Sequence, residues 1–218
     1  MLKVKAFEFN PFGEKTYVVY DPDSRQCAIV DPGMENDSET AVLDRWITEN
    51  KLSVKYLIAT HLHIDHVWGV PHIKEHYGMS LTAHPLDNSL GAMIDQQARM
   101  FGQHRSPGNI KAETEANDND RLKLGDNSLE IKHVPGHSPG GIVLYAPESG
   151  FVIGGDTLFK GSIGRTDLPG GDMTVFLDSL RSRLLTLPDS TIVYPGHGPA
   201  TTIGDERHNN PWLKHLQD

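Results

Sequence analysis

Near its N-terminus the chain alternates. In LKVKAFEF, residues 2–9, apolar and polar side chains take turns, and TYVVY and CAIVD follow as short β-branched or apolar runs. A period of two marks a strand with one face buried, and the turn clusters NPFGE and DPDS between the runs predict an antiparallel meander. From Ser38 to Lys51 the period lengthens. Val42, Leu43, Trp46 and Ile47 recur at helical spacing behind an N-cap expected at Asp37 or Ser38, which predicts an amphipathic helix covering that sheet. VKYLIAT then reads as a strand, VPHIKEHYG as a short helix stopped at Gly78, and SLTA as another strand.

The stretch from about Leu86 to Asp120 has helical character first, in LGAMIDQQARMFG, and then loses periodicity in NIKAETEANDND; it is the candidate lid. Strand patterns return in SLEIKHV, GIVLYA, GFVIGGD and TIVYPG. Between the last two, Met173, Phe176, Leu177, Leu180, Leu184 and Leu187 fall at three- and four-residue intervals and predict one helix. Strands and then a helix, repeated, imply two halves, each a sheet with helices on its outer face, in an α/β (α+β) chain. No Pro/Ser linker or low-complexity tract interrupts it, so a single domain spanning residues 1–218 is expected.

Composition narrows the function. The length allows one substantial core. The net charge is −9 and Lys and Arg are scattered, leaving no basic stripe to follow a phosphate backbone, so no nucleic-acid partner is expected. No run approaches the roughly 18 apolar residues of a membrane span. The first residues also lack the apolar core and cleavage site of a secretory signal. A cytoplasmic protein without membrane contact is the expectation. Cys27, the one cysteine, sits in QCAIVD and reads as a buried small hydrophobe.

The 12 histidines are not evenly scattered. THLHIDHVWG, directly after the strand VKYLIA, places His61, His63, Asp65 and His66 within six positions. This is not the two-histidine helix of a zinc protease, which needs ligands at i and i+4 around a glutamate. Spacing of i, i+2 aims two imidazoles the same way only on extended or turning backbone, and Asp65 and His66 then swing to a second point as a helix begins. One loop thus feeds two adjacent metal positions. Downstream, His137 in VPGHSPGG, Asp156 in VIGGDTLF and His197 in YPGHGP each follow a strand and are flanked by Gly or Pro. His84 in TAHPLD reads as structural, and His72, His76, His104, His133, His208 and His215 have no supporting pattern.

Taken together, these motifs resemble the metallo-β-lactamase superfamily. The likeness runs from TYVVYDPDSRQCAIVDPG to YPGHGPATTIGDERHNNPWL, nearly the whole chain, and T-H-x-H-x-D-H is its most specific part. GDTLFKGSIGRTDLPGGD, PGHGP and NPWL most resemble the glyoxalase II-like (hydroxyacylglutathione hydrolase-like) branch. The resemblance implies an αββα sandwich. It implies one divalent metal ion on His61, His63 and His137, a second on Asp65, His66 and His197, and Asp156 bridging them. Asp31 in IVDPG would support a ligating imidazole through its outer ring nitrogen. Zinc is expected, with iron or manganese accepted by the same donors.

Two such ions roughly 3.5 Å apart lower the pKa of a shared water to near neutrality and polarise a carbonyl. Asp65 and Asp156 would orient the resulting nucleophile. A thioester suits this chemistry because the thiol it releases has a pKa of about 8.5, so its departure needs little acid catalysis. The expected activity is therefore a thioesterase acting on S-D-lactoylglutathione or a related small-molecule thiol ester. Arg165 and Lys160 are the expected substrate contacts. The chain ends about 20 residues past His197, without the C-terminal helical domain that grips glutathione in glyoxalase II. The alternative is a persulfide dioxygenase of the same fold, with one iron on His61, His137 and Asp156. A nuclease would need a gripping domain, and an electron-transfer role a flavin domain, and neither pattern is present.

Overall fold

Alternation along the central strands separates the core into layers. The structure, a computed structural model, describes residues 1–214, so His215 lies outside the described residues. The first sheet contains β1 (Lys3–Phe9), β2 (Glu14–Tyr20), β3 (Gln26–Val30), β4 (Ser53–Ile58), β5 (Leu81–Ala83) and β6 (Thr114–Glu115), in that order. β1 to β3 form the expected antiparallel meander, and β4, β5 and β6 add on in parallel. The second sheet contains β7 (Arg121–Leu124), β8 (Asn127–His133), β9 (Ile142–Ala146) and β10 (Phe151–Gly155). After a small hairpin of β11 (Leu158–Phe159) and β12 (Ser162–Ile163) it is completed by β13 (Ile192–Pro195) and β14 (Thr201–Thr202).

Val18, Cys27, Ile29 and Leu57 point from the first sheet into a core shared with its helices, whereas Tyr17, Val19, Ala28, Val30 and Ile58 point the other way. There they meet Leu124, Leu129, Ile131, Leu144 and Ile153 of the second sheet, whose far-facing Val143, Val152 and Val193 form a third core. Three apolar layers between four structural ones make the αββα sandwich, and both sheets are buried on both faces.

The outer helices of the first half are α1 (Asp37–Glu49), α2 (Ile64–Val67), α3 (Val70–Tyr77), α4 (Asn88–Gly91) and α5 (Ile94–Met100). α1 is capped one residue earlier than expected: Asn36 accepts from the Ser38 and Glu39 amides, so Asp37 and Ser38 lie inside the first turn. α3 stops at Gly78, which is left-handed at φ 67°. On the opposite face α6 (Met173–Ser179) runs into a wider π-type turn over Leu180–Leu184, so the apolar spacing read as one helix covers two geometries. α7 (Ile203–Asn209), β7, β14 and the β11–β12 hairpin have no counterpart in the expected elements. They are too short or too polar for periodicity to mark. No helix among the described residues is long and apolar enough to cross a membrane.

Cys27 is fully buried in the helix-facing core, and burial pushes its thiol up to about 12. The native protein is therefore expected to leave a disulfide reagent such as dithiobis(nitrobenzoic acid) unreacted at pH 8. One thiol per chain should titrate in denaturant. Rapid release of one equivalent from native protein would show that the core opens at this strand.

Candidate metal centre

β4 ends at Ile58, and Ala59 and Thr60 carry the chain to His61; His63, extended and with no capping hydrogen bond from its side chain, precedes α2, whose first turn holds Asp65 and His66. Extended backbone followed at once by helix is what the i, i+2 histidines require. The later donors arrive from the second sheet: His137 after β8, Asp156 after β10 and His197 after β13. Glycines permit the approach. Gly136, at φ +130°, passes so close to α6 that a Cβ would lie 2.3 Å from the Phe176 Cα, and a Cβ on Gly196 would lie 2.2 Å from Asp156 Oδ1.

All seven expected ligand residues converge. His137 Nε2 is 3.0 Å from His63 Nδ1 and 3.3 Å from His61 Nε2. His66 Nε2 is 3.6 Å from Asp65 Oδ2, which is 3.2 Å from His197 Nε2. Asp156 lies between the two groups, with Oδ1 3.5 Å from His66 Nε2 and Oδ2 3.6 and 3.7 Å from His197 and His137 Nε2. His84 is not among them; its ring stacks on His133 at 4.0 Å.

The outer ring nitrogens explain why the inner ones are available. His66 Nδ1 faces Asp31 Oδ2 at 3.1 Å, His137 Nδ1 the Arg165 carbonyl at 2.7 Å, and His197 Nδ1 the Phe12 carbonyl at 3.2 Å. His61 Nδ1 faces Thr60 Oγ1 at 3.1 Å, and that hydroxyl donates to Asp31 Oδ2 at 2.7 Å. Each acceptor requires the proton on Nδ1, so the Nε2 lone pair of His61 meets that of His137, and those of His66 and His197 face carboxylate oxygens of Asp65 and Asp156. Lone pair against lone pair is repulsive unless a cation lies between them. His66 Nε2 and Asp156 Oδ1 are moreover buried without a hydrogen-bond partner. This donor set fits divalent metal ions.

A model of the metallo-β-lactamase superfamily matches residues 10–197. The chain belongs to that superfamily. It is 35% identical to the hydroxyacylglutathione hydrolase GloC of Haemophilus influenzae over 213 residues, covering 97% of this chain and 98% of the relative. Among solved structures, the B3 metallo-β-lactamase BLEG-1 superposes with a TM-score of 0.87 at 33% identity, covering 97% of this chain and 100% of the other. TTHA1623 in a di-iron-bound form gives 0.84 at 35% identity, with 96% and 100% coverage. The metallo-β-lactamase fold binds a dinuclear metal site, and the chain is a metallo-hydrolase of that superfamily, whose members differ in activity.

In this member, burial and the neighbouring imidazoles push His61 well below the usual histidine range and His63 down to about 3. Both rings are thereby kept neutral, the form that ligates. Burial is the largest influence on Asp65 and Asp156 and opposes their charge, but the surrounding imidazoles, His66 and His197 among them, together outweigh it and hold both carboxyls below their usual range. The cleft above the donors, about 200 Å³, is walled by Phe12, Phe101 and Leu168, so the helical part of the 86–120 stretch borders the site at Phe101. Arg165 lines the cleft but is forked onto Asp167, with Nε–Oδ1 at 2.6 Å and NH2–Oδ2 at 2.8 Å. Lys160 is exposed in the β11–β12 turn and takes no part in the lining.

Two buried acids escaped the sequence reading. Asp87 accepts from the Leu62 amide at 3.0 Å, the Ser138 hydroxyl at 2.9 Å and the Gly140 amide, tying the His61–His63 loop to the His137 loop. Glu14 accepts from Thr16 Oγ1 at 2.9 Å, with its other oxygen 4.0 Å from His66 Nδ1, and burial pushes its carboxyl well up. Neither has a motif around it. The D of TAHPLDN was the only trace of Asp87, and only its contacts single it out.

Proposed function

We propose that the chain is a thioesterase of the glyoxalase II type, acting on S-D-lactoylglutathione or a related small thiol ester. The observation that carries this reading is the set of inward lone pairs, fixed by outward hydrogen bonds, at the floor of an apolar-walled cleft. His61, His63 and His137 would hold one divalent ion and Asp65, His66 and His197 the other, with Asp156 shared. Zinc is the ion proposed, and iron or manganese suits the same N/O donors. When bound, the ions supply Lewis acidity to the thioester carbonyl and bring the pKa of a water toward neutrality.

The protein's own groups do the rest. Asp65 and Asp156, held ionised, present carboxylate oxygens on the cleft floor that orient the attacking water. Phe12, Phe101 and Leu168 exclude bulk water from the acyl group, which strengthens every charge interaction below them. The cleft lining holds no side chain poised as a proton donor to the leaving group. A thiolate tolerates that, and an amine does not. Arg165 reaches a substrate carboxylate only by exchanging Asp167, so it tunes carrier preference rather than turnover. GloC, similar over nearly its whole length, bears a name for this reaction.

The test pairs metal analysis with assays of lactoylglutathione and other thioesters. About two divalent ions per chain, with thioester turnover that is lost in His63→Ala, is the expected result. Oxygen uptake on glutathione persulfide without thioesterase activity, or β-lactam turnover in its place, would overturn the proposal.

A further inference from the structure

Outside the buried centre, one other group of metal-type donors comes together among the described residues: Asp44, His72 and His76. It shares no residue with the centre and lies on the outer surface, where α1 supplies Asp44 and α3 supplies both histidines. His72 and His76 are one helical turn apart, the i, i+4 spacing that puts two imidazoles on one face. Their rings stack at 5.2 Å and 16°. His72 Nε2 is already 2.9 Å from Asp44 Oδ2, and one ligand atom from each of the three residues lies within 4.8 Å of the others.

We propose that Asp44, His72 and His76 form a second, peripheral site for a divalent transition-metal ion, one that clips α3 to α1. Metal–ligand bonds of about 2.0–2.1 Å in tetrahedral geometry put donors ~3.3 Å apart. Rotation of the exposed His76 and a few tenths of an ångström at His72 and Asp44 reach that arrangement. The carboxylate is presented for the purpose: Tyr77 donates its hydroxyl to Asp44 Oδ1 at 2.7 Å, which leaves Oδ2 facing the imidazoles. That is the outer hydrogen bond by which ligating carboxylates are usually oriented. His72 and Asp44 are half-buried, at 32% and 23% side-chain exposure, and His76 is exposed, so solvent completes the coordination. Two imidazoles and one carboxylate favour zinc, nickel or copper over magnesium or calcium.

The histidines sit at positions where helix surface needs only polarity, and an i, i+4 pair is by itself common. What sets this pair apart is a carboxylate from a different helix, fixed at bonding range by a third side chain. Because α3 follows within a few residues of His66, an ion here would stiffen the helix that continues from the centre, without touching the cleft.

The test uses the purified, metal-loaded full chain and Ni²⁺ as the probe, by calorimetric titration and thermal unfolding. Wild type is expected to take up one equivalent beyond its resident metal, with a rise of several degrees in Tm. His76→Gln and His72→Gln should each weaken that uptake at least about tenfold, with resident metal content unchanged. Tyr77→Phe, which leaves all three ligands in place, should weaken it as well. No additional equivalent in wild type, or uptake in both glutamine variants as tight as wild type, would sink the proposal.

Discussion

Asp156→Ala is expected to reduce thioester turnover at least 100-fold and to bring metal content below two ions per chain. Asp156 lies within 3.7 Å of His66, His137 and His197 alike, so its loss weakens both halves of the centre at once. Loss of a group that merely orients a ligand costs 10–100-fold, so loss of a shared donor should reach the upper end of that range or beyond. Side-chain truncation at the cleft floor leaves the three apolar layers untouched, so the circular dichroism spectrum should match wild type. Metal analysis and turnover of the same preparation check the expectation. Full metal content with undiminished activity would remove Asp156 from the centre.

Asp31→Asn should also have a large effect, although Asp31 is not proposed to touch metal or substrate. Its Oδ1 accepts the Thr60 amide at 2.6 Å, and its Oδ2 accepts the Thr60 hydroxyl at 2.7 Å and faces His66 Nδ1 at 3.1 Å. An asparagine that keeps the Thr60 amide bond must turn its NH₂ toward the other two groups. His66 Nδ1 then has to accept, which moves its proton to Nε2, the nitrogen that faces the cluster. Thr60 would likewise accept from the amide and donate to His61 Nδ1, moving that ring's proton inward too. One substitution thus protonates two inner nitrogens, and metal affinity is expected to fall about 10–100-fold.

Backbone strain does not confound this experiment. Asp31 sits at φ 51°, a left-handed conformation that asparagine adopts as readily as aspartate. Competition with a chelator gives the affinity, and ¹⁵N chemical shifts of the histidine rings report the tautomers directly. Unchanged affinity together with unchanged ring shifts would show that Asp31 does not set the proton positions.

Much of this was readable in the chain because the relevant signals are local. Period-two alternation in residues 2–9 and the helical spacing of Leu43 and Ile47 depend only on which side of an element is buried. The first four donors announce themselves by crowding behind one strand, and the other three because each follows a strand within a few positions and is flanked by Gly or Pro. The N-cap of α1 fell one residue off because Asn36, Asp37 and Ser38 are all competent caps, and only backbone geometry chooses among them. Glu14 and Asp87 were missed for a different reason. An acid in a strand or loop looks like a solvated face until packing buries it, and Asp87 meets Gly140 across 53 positions.

Arg165 shows the same limit from the other side: its charge is plain in the sequence, but its fork to Asp167 is a matter of conformation. The sequence by itself thus determined two halves, each a sheet with helices on its outer face, and singled out seven donor-type residues that the fold brings together. Only the tertiary structure decided which nitrogen of each ring faces inward. The reason is that a ring's proton follows its outer acceptor, and that acceptor can be remote: for His197 it is the Phe12 carbonyl, 185 positions away along the chain.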